Sequence, residues 1–193
     1  MKKFIYVITL FTSVMQAQVG IGTTNPTAKL EIDASADAIP ALEIVPSITA
    51  PTGTANGQIA VIDGSLYIYD VTRAKWLSSE TISFSFGLNG TYDDGYLQFS
   101  RVQNGLSGAK ILKDATIVGI TAVTSGGNPT KLIEIDGSTL GLAFANFNLI
   151  ATQYLSSITD INVPEGENIN IYVADPGPTI SNLSVTIYLK WRK

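Results

Sequence analysis

The sequence predicts an all-β protein in two parts, a short β-rich N-terminal region and a larger C-terminal β sandwich or barrel. Apolar and polar residues alternate with period two, and Gly, Asn, Asp and Pro interrupt the runs at short intervals. A change of composition near Glu80 divides the 193 residues.

The first seventeen residues stand apart. Lys2 and Lys3 form a basic start, Phe4 to Val14 is mostly apolar, and Ala17 is a small residue at a plausible cleavage point. This predicts a signal peptide over residues 1–17, too short to span a bilayer. An N-terminal core strand or an uncleaved anchor is the alternative. Cleavage would remove two lysines from a chain of formal net charge −4 and expose Gln18.

Residues 18–80 open with QVGIGTTNPTAKLEI. Val19 and Ile21 flank Gly20 and Gly22, which permit close backbone approach or positive φ. Asn25-Pro26 predicts a turn and blocks helix propagation. Four short apolar pieces follow, KLEID, ALEIV, QIAVI and SLYIYD, with a weak repeat between KLEI (29–32) and ALEI (41–44). Strands this short gain little stability alone. They are stabilised when several chains supply the missing layers, so Val19, Ile21, Leu30 and Ile32 are candidate contacts about a symmetry axis. A loose linker with one hairpin is the plainer alternative, but the many apolar positions argue against disorder.

Residues 81–193 hold the clearest alternation. TISFSFG sets Ile82, Phe84 and Phe86 against Thr81, Ser83 and Ser85. NINIYVA does the same with Ile169, Ile171 and Val173, and the last run sets Leu183, Val185, Ile187, Leu189 and Trp191 on one face. Successive side chains of a strand point to opposite faces, so each run reads as a half-buried strand. Asn89-Gly90, Asp94-Gly95, Asn104-Gly105, Gly126 to Pro129, Asp136-Gly137 and Pro176 to Pro178 mark turns. The alternation favours burial of Trp191, in the core or at an interface between chains.

Composition excludes much chemistry. The chain has no cysteine and no histidine. Disulfides and a lipid anchor on cysteine are ruled out, and the commonest general base and most zinc sites are absent. Lysines and arginines are scattered in an acidic chain, which gives no reason to expect nucleic acid or an anionic lipid surface as partner.

Three stretches resemble known proteins. VGIGTTNPTAKLEI (19–32) is similar to a segment that heads trimeric stalks in phage fibres and in exported proteins of some Gram-negative bacteria. GQIAVIDGSLYIYDVTRAKWLS (57–78) resembles the small β unit that often follows it. AKILKDATIVGITAVTSGG (109–127), DINVPEGENINIYVA (160–174) and ISNLSVTIYLKWR (180–192) resemble the globular heads of trimeric fibres, with a jelly-roll sandwich like tumour necrosis factor and the complement globular head. The resemblance implies a homotrimer with a β-rich stalk or trimerisation region at 18–80 and a jelly-roll head at 81–193, without cofactor. Phage fibres carry no signal peptide, so a host-encoded surface or secreted protein is the better expectation. No heptads and no Gly-X-Y tract are present, so neither a coiled coil nor collagen forms the stalk.

The candidate ligand-binding loop is NGTYDDGYLQF (89–99), where Tyr92 and Tyr96 flank Asp93 and Asp94. Aromatic faces beside carboxylates suit sugar rings. Paired aspartates also suit calcium, but a calcium site wants about six or more oxygens and the spacing is not that of an EF-hand. Asp-Asp-Gly more often makes a plain turn. Glu165 and Glu167 form a carboxylate pair of the kind glycosidases use, though a turn before the next strand explains them better. Asp175 to Pro178 is a rigid loop, and two glycosylation sequons (Asn89, Asn182) would mean little in the bacterial chain that the resemblance implies.

The function expected is a non-enzymatic, exported fibre or adhesin subunit whose head binds a surface glycan or protein, with no membrane span in the mature chain. A monomeric carbohydrate-binding module or carbohydrate-active enzyme is one alternative. A subunit of a longer filament, docking its N-terminal end by strand addition, is the other.

Overall fold

A computed structural model describes residues 19–21, 24, 28–36, 38–101, 108–127, 130–138, 143–149, 152–156, 159–175 and 179–193. The expected signal peptide, Asn25-Pro26, Asn104-Gly105 and the Pro176–Pro178 loop lie outside them. The described residues contain strands and turns but no helix, so none is long and apolar enough to cross a membrane. They fall into two compact units, divided between Val45 and Pro46.

The first unit holds β1 (Val19–Ile21) and β2 (Leu30–Ile32), paired in parallel with Val19 opposite Leu30 and Ile21 opposite Ile32. A parallel pair of three residues each has little to hold it alone. Val19, Ile21 and Leu30 are more than half exposed and Ile32 is half-buried. The KLEI half of the weak repeat is thus partly a strand, whereas ALEI at 41–44 is irregular chain.

The second unit begins with a three-stranded antiparallel sheet, β3 (Ile59–Ile62), β4 (Ser65–Asp70) and β5 (Lys75–Ser78). Asp63 and Gly64 join β3 to β4 with positive φ at both positions (49° and 74°), the geometry of the tight hairpin turn whose twist matches its strands. Ile62, Tyr67 and Trp76 form a small core, against which Tyr69 and Trp191 pack. The Trp76 indole donates to the Pro51 carbonyl at 2.7 Å, fastening the preceding loop over this face.

The rest of the unit is a β sandwich. Its strands are β6 (Ile82–Gly87), β7 (Thr91–Tyr92), β8 (Gly95–Tyr96), β9 (Ala109–Lys110), β10 (Ala115–Val123) and β11 (Gly126–Gly127). There follow β12 (Lys131–Asp136), β13 (Ala143–Leu149), β14 (Gln153–Ser156), β15 (Ile161–Val163), β16 (Asn168–Ala174), β17 (Ile180–Ser181) and β18 (Ser184–Trp191). One sheet runs β14-β10-β18-β6, with β15 on the same edge of β10. The other runs β13-β12-β16-β8, with β9 beside β16, and β11-β17-β7 close one side. Between the sheets lie Phe86, Ile117, Ile120, Ile133, Ile135, Ile169, Ile171, Val173, Val185, Ile187 and Leu189. These include alternating apolar positions of β6, β16 and β18, as period-two burial requires. Trp191 is half-buried and packs against both this core and the small one.

The small sheet is fastened to the sandwich. Past β18 the chain bridges to Leu77 through Arg192, and the Lys193 amide donates to the Trp76 carbonyl at 3.0 Å. The register between β10 and β18 shifts between Ile117 and Gly119, a bulge at Val118. The Arg73 guanidinium reaches the Val118 carbonyl at 3.4 Å, the Thr159 carbonyl at 2.8 Å and Asp70 at 2.6 Å. The composition change near Glu80 therefore lies inside the second compact unit.

Candidate functional site

Antiparallel register brings together residues distant in sequence. Tyr96 on β8 stands opposite Tyr172 on β16, Tyr172 opposite Glu134 on β12, and Glu134 opposite Asn146 on β13. Opposed residues of neighbouring strands share a face. The intervening residues Ile133, Ile135, Ile171 and Val173 point into the core, so this row lies on the outer face of the sheet. The Tyr96 and Tyr172 ring centroids are 4.9 Å apart at 58°. The row offers tilted aromatic surface, then a carboxylate, then an exposed amide.

The Asp-Asp-Gly loop feeds this face. It joins β7, which pairs with β17, to β8, which pairs with β16, so the chain changes sheets across it. Gly95 makes the crossing with φ +120°, where a Cβ would lie 2.3 Å from the Tyr92 hydroxyl oxygen. Glycine is required there by both conformation and space. The Tyr92 hydroxyl donates to the Tyr96 carbonyl at 3.2 Å, and the Tyr172 hydroxyl donates to Asp94 Oδ1 at 2.6 Å. Asp93 turns the other way, toward the fully buried Lys131, whose Nζ donates to its Oδ1 at 3.0 Å. Of the residues expected at the site, Tyr96 and Asp94 reach the outer face. Tyr92 braces the loop and Asp93 pairs with the lysine.

Asp136 lies beneath Tyr96, two positions along β12 from Glu134 and opposite Asn170. It is 2% exposed, and its Oδ2 accepts from the Tyr96 hydroxyl at 3.1 Å. Among the described residues its Oδ1 has no hydrogen-bond partner. Burial pushes this carboxyl above its ordinary range, against the lowering effect of the Tyr96 hydrogen bond. The Tyr96 hydroxyl is pushed up to about 12, first by burial and then by the Asp136 carboxylate. The Tyr172 hydroxyl is also pushed up to about 12, first by its hydrogen bond to Asp94. Both phenols therefore remain protonated donors at neutral pH.

The carboxylate pair expected as a glycosidase alternative is built differently. Glu167 Oε2 accepts from the Ser138 amide at 2.9 Å, and this bond holds its carboxyl below the usual range. Glu165 lines a cleft of about 540 Å³ with Asp63, Tyr67, Asp114, Arg192 and Lys193. Lys193 pairs with Asp63 at 2.6 Å and Arg192 with Asp114 at 3.5 Å, so four of the six charged side chains of this cleft, which Lys113 also lines, pair with one another. Among the described residues no three His, Cys, Asp or Glu side chains gather as a metal site.

Sequence reading missed Tyr172, Glu134, Asn146 and Asp136. Tyr172 did leave a signal, since it occupies an outward position of NINIYVA with an aromatic side chain. Of Val19, Ile21, Leu30 and Ile32, expected at an axis, the first three hold apolar surface exposed in the single chain. Compared with known proteins, the chain matches no protein-family model and no curated protein.

Proposed function

We propose that this chain is an exported, non-enzymatic subunit of a homotrimeric fibre or adhesin, with a β-rich stalk and a jelly-roll head that binds a surface glycan or protein. The observation that carries the binding part is the row Tyr96–Tyr172–Glu134–Asn146 across the outer face of one sheet. Tyrosine offers a flat apolar body with a polar tip, and carboxylate and amide groups supply acceptors and donors at fixed spacing. That combination suits the apolar and hydroxyl-bearing faces of a sugar, and it places no nucleophile beside a general base.

The strand order supports the jelly-roll reading. With the small β11-β17-β7 sheet set aside, counting β8 with β9 and β14 with β15 leaves eight strand positions. One sheet then runs first, eighth, third, sixth, and the other second, seventh, fourth, fifth. Paired Greek keys of this kind define a double-sheet jelly roll. The basic, apolar and small-residue pattern of residues 1–17 supports export to the surface or medium.

Two measurements test the reading. Light scattering behind a sizing column should give the mass of three chains, and the mass of one chain would refute the trimer. Screening the protein on a glycan array should give ligands whose binding falls at least tenfold in Tyr172→Ala. A Tyr172→Ala protein that is folded and binds as tightly as wild type would remove the row from the site.

A further inference from the structure

The row Tyr96–Tyr172–Glu134–Asn146 has a definite hydrogen-bonding polarity. Each phenol spends its proton on a carboxyl oxygen, Tyr96 on Asp136 at 3.1 Å and Tyr172 on Asp94 at 2.6 Å. A phenol has a single O–H to donate, so both hydroxyls can offer a ligand only lone pairs. Glu134, directly opposite Tyr172, is half-buried. Among the described residues its carboxylate makes no hydrogen bond or ion pair. An ionised carboxylate can only accept. The exposed Asn146 amide is the one group of the row with protons to give.

The charge of this face has one sign. Asp136 and Glu134 both push the Tyr96 hydroxyl up, and Asp94 and Glu134 do the same to Tyr172. The outward positions beside the row are Leu132, Asn148 and Asn170, none of them basic. The nearby lysines are engaged elsewhere. Lys131 is fully buried and turned to Asp93, and the Lys110 ammonium donates to the Gly166 carbonyl. Partial burial of Glu134 without a countercharge has a desolvation cost that a bound cation would offset. The two tyrosine rings, 4.9 Å apart at 58°, add aromatic faces of the kind that attract a cation lying within about 6 Å of a ring centroid.

We infer that Tyr96, Tyr172 and Glu134 seat an ammonium group, and that the glycan bound along this row carries free amines. That assignment rests on the binding row proposed above and fixes the charge of its ligand. The strand order favours a sugar chain over a peptide. Tyr172 and Glu134 lie on β16 and β12, each flanked by a strand on both sides, so a peptide cannot add there as a further strand. At about 4.8 Å between strands, Asn146 stands roughly 14 Å from Tyr96. A chain of rings with hydroxyls spans that length and can use the Asn146 amide at the far end.

The test compares two probes that differ in charge: an oligomer of glucosamine with protonated amines, and the N-acetylated oligomer of the same length. By titration calorimetry the glucosamine oligomer should bind the full chain at least tenfold more tightly than its acetylated counterpart. Glu134→Gln should abolish that preference with the urea midpoint unchanged. Glu80→Gln removes the same charge from an exposed position outside the row and should leave the preference intact. Equal binding of the two oligomers, or an equal loss in both variants, overturns the ammonium seat. A neutral glycan whose binding is lost in Tyr172→Ala but kept in Glu134→Gln also overturns it and leaves the glycan reading standing. Failure of every glycan to bind overturns the glycan reading itself. An oligolysine peptide that binds more tightly than the glucosamine oligomer assigns the row to a protein partner and overturns the choice of a sugar.

Discussion

Asp136→Asn should make the protein more stable at pH 8 and leave it unchanged near pH 4. One carboxylate oxygen of the wild type accepts from Tyr96, and the other has no partner among the described residues at 2% exposure. Leaving a buried polar atom unsatisfied costs about 1–3 kcal/mol, more when the group is charged. Because the folded-state pKa is raised, the folded protein holds this proton more tightly than the unfolded chain. The stabilising contribution is complete below the unfolded carboxylate pKa and is lost as pH rises through the folded one. Asparagine keeps the shape and still accepts from Tyr96; its amide nitrogen takes the unpartnered place as a neutral group, so what the variant removes is the cost of burying the charge. The variant should gain about 1–3 kcal/mol at pH 8. At about 2–4 °C per kcal/mol for a unit of this size, the melting temperature should rise by several degrees. Urea unfolding of both proteins from pH 4 to pH 8 is the assay, and the gap should open as pH rises. A variant less stable than wild type at pH 8, or a gap independent of pH, would refute the reasoning by showing that the carboxylate is well satisfied.

Three further outcomes follow from the same geometry. Tyr96→Phe removes the hydrogen bond to Asp136 and should cost about 1–3 kcal/mol at pH 8, and less in the Asp136→Asn background, where the acceptor it strands carries no charge. Gly108→Ala would place a Cβ 1.9 Å from the Ile169 carbonyl oxygen, so thermal melting should show a loss of about 1–3 kcal/mol or more. Ile171→Ala empties a fully buried position between the sheets and should cost about 2–5 kcal/mol by urea titration at unchanged fold.

The strands that sequence marks best are those with one face in the core. In β6, β16 and β18 each inward position is apolar and most neighbours are polar, so local alternation carries the answer. Asp63-Gly64 was equally legible in principle, because only a few residue types accept positive φ twice in succession. The row on the outer face was not legible. Tyr96, Glu134, Asn146 and Tyr172 become neighbours through pairings across long stretches of chain, and no local pattern encodes which strand lies beside which. The Asp-Asp-Gly loop shows the same limit from the other side. Its composition fits sugar or calcium, yet Asp93 is drawn to a lysine thirty-eight positions away. That lysine stands where an inward apolar residue would be expected, and its neighbours in sequence give no warning of it.

The position of β18 carries a consequence for how the protein is made. It lies between β10 and β6 at the centre of its sheet, and the chain beyond it also fastens the small sheet at Leu77 and Trp76. Of the described strands it is the last to leave the ribosome. Until then β6 and β10 have no strand between them, and Trp191 cannot reach Ser78, 113 positions earlier. The sandwich can therefore close only after its last described strand has been synthesised, and a fold so dominated by distant pairings closes slowly.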